Sequence, residues 1–163
     1  MILFKKLKKI FDRVINTFVM PRKNKNKKNK KDKIRGVPNT KIVDVGGGGD
    51  CFWRVVSHQL GRKPSNFMTI RNEVANYIET NSLNYQPFFE TKDSLDKFIS
   101  SIRKKGTWCE GEIEMNAVSI LYSINIRILG NNGRETFIKT GSNTNFINMY
   151  HDIDVHFRSI IQN

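Results

Sequence analysis

Near Tyr122 the apolar residues of this chain change their period, and that change limits the folds open to it. Upstream, apolar side chains recur every three or four residues, the spacing of one helix face. Ile70, Val74, Ala75 and Ile78 mark one helix, capped by Ser65 or Asn66 and running to about residue 79. Leu95, Phe98, Ile99 and Ile102 mark another over 93–104, and Ile113, Ala117, Ile120 and Leu121 a third over 112–122. Segment 51–60 reads as a helix as well, with a turn at 61–64. Downstream, 125–129, 135–139, 146–150 and 155–160 read as short strands, the first two joined by the Asn132-Gly133 turn. One more strand, 41–45, comes first, separated from the helices by a glycine loop at 46–50. Strand, loop, helices, then strands predicts an α+β domain with helices packed on a small, largely antiparallel sheet.

Charge separates this domain from what precedes it. Residues 1–35 hold 14 Lys/Arg against Asp12 and Asp32, a net of +12, while residues 36–163 carry a net of only +1. The basic pI therefore belongs to the arm, and a nucleic-acid-binding domain, which needs its own positive face, is a poor reading. Within the arm, Leu3, Leu7, Ile10, Val14 and Phe18 fall at helical spacing between lysines. That predicts an amphipathic basic helix over 1–20, suited to an anionic membrane surface and too broken by charge to span one. Residues 21–38 are rich in Lys and Asn and nearly devoid of apolar side chains, so they predict a solvated linker; 39–163 is left as the folded domain. Contact with nucleic acid or anionic lipid through residues 1–35 is the adaptor alternative.

Two cysteines, Cys51 and Cys109, make no disulfide framework, and no His/Cys cluster has zinc-ligand spacing. The expectation is a reducing, cytosolic compartment with no metal and no cofactor. Heavy use of Lys, Asn and Ile fits AT-rich coding, as in a reduced-genome intracellular bacterium or a large virus.

The chemistry concentrates in Gly46-Gly47-Gly48-Gly49-Asp50-Cys51. A cysteine in the first turn of a helix sits at the positive end of the helix dipole, which favours the nucleophilic thiolate. Amides near Gly48, Gly49 and Asp50, with that of Cys51, can face the oxygen of a tetrahedral intermediate. The loop lacks the Gly-Lys-Ser/Thr ending of a phosphate loop. Of the three histidines, His58 lies two turns along the same helix, roughly 10 Å from Cys51, and is structural. His151 falls at a polar turn, whereas His156 lies in the strand-like run His-Phe-Arg-Ser-Ile, the firmer support for a general base.

Three blocks then fall in one order: Gly-Gly-Gly-Gly-Asp-Cys-Phe-Trp-Arg-Val-Val-Ser, Lys-Lys-Gly-Thr-Trp-Cys-Glu-Gly-Glu-Ile-Glu-Met-Asn-Ala, and His-Phe-Arg-Ser-Ile. Together they resemble the OTU (ovarian-tumour) family of cysteine proteases over residues 40–160. The resemblance implies a papain-like α+β fold and a thiol isopeptidase acting on ubiquitin or a ubiquitin-like partner, with Cys51 as nucleophile and His156 as base. It assigns Trp108 to Ala117 to the family's Trp-Gly-x-x-x-Glu block, which packs the core and borders the substrate groove; Cys109 stands at the glycine position and is taken as a structural or incidental thiol. In an intracellular bacterium such an enzyme would act on host proteins, secreted into the host and placed at a membrane by its arm.

Two departures bear on the third, histidine-orienting group. The family often carries Asp three residues before the nucleophile, where this chain has Gly48, and Asp or Asn two residues after the histidine, where it has Arg158. Asp44, at the end of the first strand, ranks first as a replacement if the glycine loop folds back. Asp154, two residues before His156, ranks second, and Asp50 has no orienting role. The departures also leave open a catalytically impaired ubiquitin-binding module.

Overall fold

The structure, a computed structural model, describes residues 39–152 and 156–162. The helix expected over 1–20, the linker over 21–38 and Asp154 lie outside the described residues.

The first strand, β1 (Thr40–Val43), leads through the glycine loop into α1 (Cys51–Gln59). α1 runs through the interior: Cys51, Phe52, Trp53, Val55 and Val56 are all buried. A single 3-10 turn, Pro64–Asn66, with proline at its start, feeds α2 (Phe67–Thr80). Proline suits that position because its missing N–H would have no helical partner there. A short helix, α3 (Ser82–Tyr85), and a 3-10 turn, Gln86–Phe88, follow; no periodic pattern announced them. α4 (Lys92–Arg103) starts with a capping box in which Thr91 and Ser94 satisfy each other's backbone amides. α5 (Glu112–Leu121) places Glu112 and Glu114 in its first turn, where the helix dipole favours negative charge.

The remaining strands are β2 (Asn125–Gly130), β3 (Glu135–Ile138), β4 (Phe146–His151) and β5 (Phe157–Gln162), in the sheet order β1-β5-β4-β2-β3. Three of the four pairings are antiparallel, as expected, but β2 and β4 run parallel, with Asn125 opposite Phe146 and Gly130 opposite His151. The parallel pair arises because β3 turns back tightly on β2 through Gly133, leaving the other edge of β2 for the next strand. β4 and β5 pair only from Met149–Ser159 to His151–Phe157 and then part. Gln59, from the end of α1, fills the opening: its Oε1 accepts from the Asn148 amide at 3.1 Å and its Nε2 donates to the Ile160 carbonyl at 2.8 Å. One side-chain amide thus substitutes for a rung of the ladder.

The pairing of β1 with β5 positions the site. Val43 lies opposite Ser159. Continuing that register by one residue sets Asp44 against Arg158. Because side chains alternate across a strand, Asp44, Arg158 and His156 share one face, while Phe157 and Ser159 point to the other. β5 begins at Phe157, so His156 immediately precedes the strand rather than lying within it.

Candidate active site

Three element termini meet here: the end of β1, the start of α1 and the start of β5. Cys51 opens α1 and is 1% exposed. Burial pushes its thiol up, against the Phe157, Phe52 and Cys51 amides, which favour the thiolate; the neighbouring Asp50 charge pushes it up further. The Cys51 and Phe52 amides at the helix start thus act in the expected direction, and desolvation of the buried sulfur opposes them more strongly.

The base candidate is carried to it by contacts one residue along the chain. The Phe157 amide favours the thiolate of Cys51, and the Phe157 ring packs edge-on to Phe52, with centroids 5.7 Å apart. The residues that follow Cys51 and His156 thus touch each other. The His156 ring lies over the glycine loop: a Cβ on Gly47 would sit 3.4 Å from Cε1 and 3.6 Å from Nδ1. On its other side Nε2 is 3.1 Å from Asp44 Oδ1. That leaves Nδ1 as the ring nitrogen available to a thiol.

Asp44 does more than touch the histidine. Its Oδ1 also accepts the Gly46 amide at 2.9 Å, the fold-back of the glycine loop that such a contact requires. The Gly46 amide first, and His156 second, hold its carboxyl below the usual carboxylate range. Arg158 approaches Asp44 Oδ2 at 3.9 Å and Asp152 at 3.1 Å, so the cation after the histidine lies between two carboxylates.

The other histidines are placed elsewhere. His58 Nδ1 is 2.8 Å from Ser159 Oγ, a tie between α1 and β5. The His151 ring packs against Phe157 with centroids 4.6 Å apart, and burial pushes its pKa down.

Of the loop residues, Gly48 (φ +75°) has open space where a side chain would be. Gly49 (φ +87°) is the opposite case: an added Cβ would lie 2.0 Å from the Gly106 carbonyl oxygen. Asp50, buried, does not cap α1 with its carboxylate, the usual use of Asp at that position. Its Oδ1 instead accepts from Arg71 Nη1 and from the Gly106 amide, each at 2.9 Å. Arg71 was not among the expected site residues. The signal was present, because an arginine at position 71 falls within the buried stripe Phe67, Ile70, Val74, Ile78.

The middle block divides. Met115 and Ala117 are core, as expected, but Trp108 is 51% exposed. The tryptophan follows a loop pinned from below through Arg71 and Thr107, which holds its backbone at the surface. Cys109 donates to the Gly111 carbonyl, and burial together with Glu114 pushes its thiol well up, the behaviour of a structural thiol. Glu114 is itself buried, accepts from the Glu110 amide at 2.7 Å, and is pushed up to about 7 by desolvation. Among the described residues no cluster of His, Cys, Asp and Glu could hold a metal ion.

Comparison with known proteins follows this geometry. The family described as OTU-like cysteine protease matches residues 46–159, more than half of the chain. OVARIAN TUMOR DOMAIN-containing deubiquitinating enzyme 7 of Arabidopsis thaliana is 29% identical over 123 residues, covering 74% of this chain and 32% of its own length. This chain thus spans about a third of that relative. The structure of the OTUD1 OTU domain superposes with a TM-score of 0.66 at 18% identity, covering 76% of this chain and 87% of the other. The Hazara virus OTU bound to ubiquitin superposes with a TM-score of 0.57 at 16% identity, covering 76% and 82%. At those identities the structures show a shared α+β fold. With the sequence match spanning the glycine loop, Cys51 and His156, the chain belongs to the OTU-like cysteine protease family.

Proposed function

We propose that this protein is a deubiquitinating thiol isopeptidase, cleaving ubiquitin or a ubiquitin-like modifier from conjugates or chains. The observation that carries the reading is the contact of His156 Nε2 with Asp44 while Nδ1 lies against Gly47 of the loop that leads into Cys51. A neutral, buried thiol cannot attack an amide unaided. In the proposed cycle His156 Nδ1 takes the Cys51 proton as the sulfur adds to the carbonyl of the modifier's last glycine. Amides of the loop around Gly48, Gly49 and Asp50 receive the developing oxyanion. His156 then protonates the departing lysine amine, and water releases the acyl-enzyme by the same base. Asp44 keeps Nε2 protonated and offsets the imidazolium charge, the task of the third member of a triad. A related structure bound to ubiquitin supports the choice of modifier. The reading places the activity in a reducing cytosol, a host's included, with residues 1–35 as a tether to anionic membrane.

The second reading, a ubiquitin-binding module without turnover, draws on Arg158 at the position where the family often has a carboxylate or amide, and on the near-complete burial of Cys51. One experiment separates them. The full chain and Cys51→Ala are incubated with ubiquitin carrying a C-terminal electrophile and with ubiquitin dimers of each linkage. A covalent adduct and dimer cleavage by wild type alone support the isopeptidase. Binding without adduct or cleavage overturns it in favour of the module.

A further inference from the structure

The residue bearing most of the polar order beneath the glycine loop is Arg71, on α2, fully buried with 0% exposure. A guanidinium has five N–H donors in a fixed fork. Here all five have acceptors: Nε reaches the Ile102 carbonyl at 2.5 Å, Nη1 reaches Asp50 Oδ1 and the Thr107 carbonyl at 2.9 Å each, and Nη2 reaches the Ser101 and Lys104 carbonyls at 3.2 and 2.6 Å. Ser101 and Ile102 belong to the last turn of α4, whose carbonyls attract positive charge; that of Ser101 also accepts the Lys104 amide at 3.1 Å. Lys104 and Thr107 flank Gly106. A single side chain therefore closes the end of α4, shapes the loop at 104–107, and holds the carboxylate of the residue preceding Cys51.

That carboxylate completes the tie from the other side. Asp50 Oδ1 accepts both Arg71 and the Gly106 amide, so the glycine loop and the 104–107 loop are bonded to each other through one oxygen. They also touch directly, since Gly49 leaves no room for a Cβ against the Gly106 carbonyl. The amides assigned to the oxyanion lie on the stretch fixed in this way. Loop amides stabilise an oxyanion only if they are aimed before the charge develops, and glycine-rich backbone does not hold an aim by itself.

We infer that Arg71 is a positioning residue for the reaction: through Asp50 and Gly106 it fixes the loop whose amides receive the oxyanion. The inference rests on the isopeptidase reading. It predicts an effect on the tetrahedral state and none on binding of the modifier, whereas a merely structural Arg71 would lower stability alone.

The test uses the full chain with Arg71→Lys, which keeps the charge and loses the fork. Val74→Ala, one turn along the same helix and equally buried, is the control for lost stability. Three quantities are measured: kcat and KM on a fluorogenic ubiquitin amide, the affinity for ubiquitin C-terminal aldehyde, whose adduct with the thiol mimics the tetrahedral state, and the affinity for free ubiquitin. A displacement on the order of 1 Å in a reacting group costs about 100-fold. Arg71→Lys is accordingly expected to lower kcat by about 100-fold with KM within about threefold, and to weaken the aldehyde in parallel while free ubiquitin binds as before. Val74→Ala should lower the melting temperature and leave kcat unchanged. Should Arg71→Lys fail to fold, Asp50→Ala gives the same readout: it removes the acceptor of both the Arg71 and the Gly106 contacts and should lower kcat and aldehyde affinity together. Unchanged aldehyde affinity in a folded variant, or a kcat loss matched by Val74→Ala at equal stability, overturns the inference. A wild type that neither cleaves ubiquitin amide nor binds the aldehyde overturns the isopeptidase reading instead, and the two failures are distinct.

Discussion

Asp44 allows a quantitative expectation. Asp44→Ala removes the acceptor for His156 Nε2 and for the Gly46 amide together. A hydrogen bond to a charged group contributes about 1.5–3 kcal/mol. The Asp44 side chain is 58% exposed, so solvent screening reduces that contribution to about 1–1.5 kcal/mol. If the interaction strengthens only as the imidazolium forms, kcat falls about 10-fold, since each 1.36 kcal/mol is a factor of ten. Asp44→Asn, whose amide oxygen still accepts both N–H groups, should lose about threefold. Asp44 titrates below the ordinary carboxylate range, so it remains charged through the working pH and its protonation does not set the acid limb of activity. The assay is steady-state cleavage of a fluorogenic ubiquitin amide, with Cys51→Ala as the zero. A second arm tests position: Asp44→Ala combined with Arg158→Asp returns a carboxylate to the same face from β5, and should recover part of the lost rate. Full activity in Asp44→Ala, or none at all, refutes the reasoning, as does a double variant no better than the single one.

Other expectations concern stability. Glu114 titrates at about 7 rather than 4.5, so between those values the folded protein binds more protons than the unfolded chain and stability falls as pH rises. Glu114→Gln removes that penalty, and its advantage over wild type in urea unfolding should grow from near zero at pH 4.5 to about 3 kcal/mol at pH 7 and above; a constant difference across this range would contradict the shift. Gly49→Ala forces a side chain both into the left-handed region and against the Gly106 carbonyl, and should cost more than about 2 kcal/mol. Gly48→Ala shares the positive φ but meets open space, so about 1 kcal/mol is expected, and equal losses from the two would deny the contact between the loops. Gln59→Leu leaves the Asn148 amide and the Ile160 carbonyl without their bridging side chain and should cost about 2–3 kcal/mol, with faster hydrogen exchange at Asn148 as the local signature.

Much of the fold could be read from the period of the apolar residues. The four long helices and five strands lie within a few residues of where Ile70/Val74/Ile78, Leu95/Phe98/Ile102 and the later β-rich runs put them. What could not be read was long-range. Local pattern does not encode which strand lies beside which, so the parallel neighbour of β2 was hidden, and so was the gap that Gln59 spans. Segment 82–88 escaped because its apolar residues do not face one way: Leu83 is 89% exposed while Tyr85 is buried. In the site, Cys51 and His156 were marked by chemistry that few other residues in the chain could supply. Residue type did not show which members of the middle block face inward; Met115 and Ala117 do, while Trp108, after the loop that Arg71 pins, is half exposed. Arg71 was visible as a charge in an apolar stripe, but its partners are distant in sequence: Asp50 lies 21 residues before it and the four carbonyls 30 to 36 residues after it.

The position of Asp44 shows what the active-site geometry demands of a sequence. A histidine needs a carboxylate near Nε2, and any residue on the same sheet face at the same height can provide it. On β5 that position is 158, two residues past the histidine, and here it holds an arginine. Across the β1–β5 pair the residue at that height is 44, because Val43 faces Ser159. Antiparallel neighbours one step apart in the sheet are about 5 Å apart at the backbone, so moving the carboxylate between them changes the direction of approach more than the distance. Arg158 then acquires a use that a vacant position would not have. Set between Asp44 and Asp152, it places positive charge beside the carboxylate that contacts the histidine while adding no acceptor of its own. The departure at Arg158 and the carboxylate at Asp44 are thus one arrangement read across a strand pair, and the constraint they obey is spatial rather than sequential.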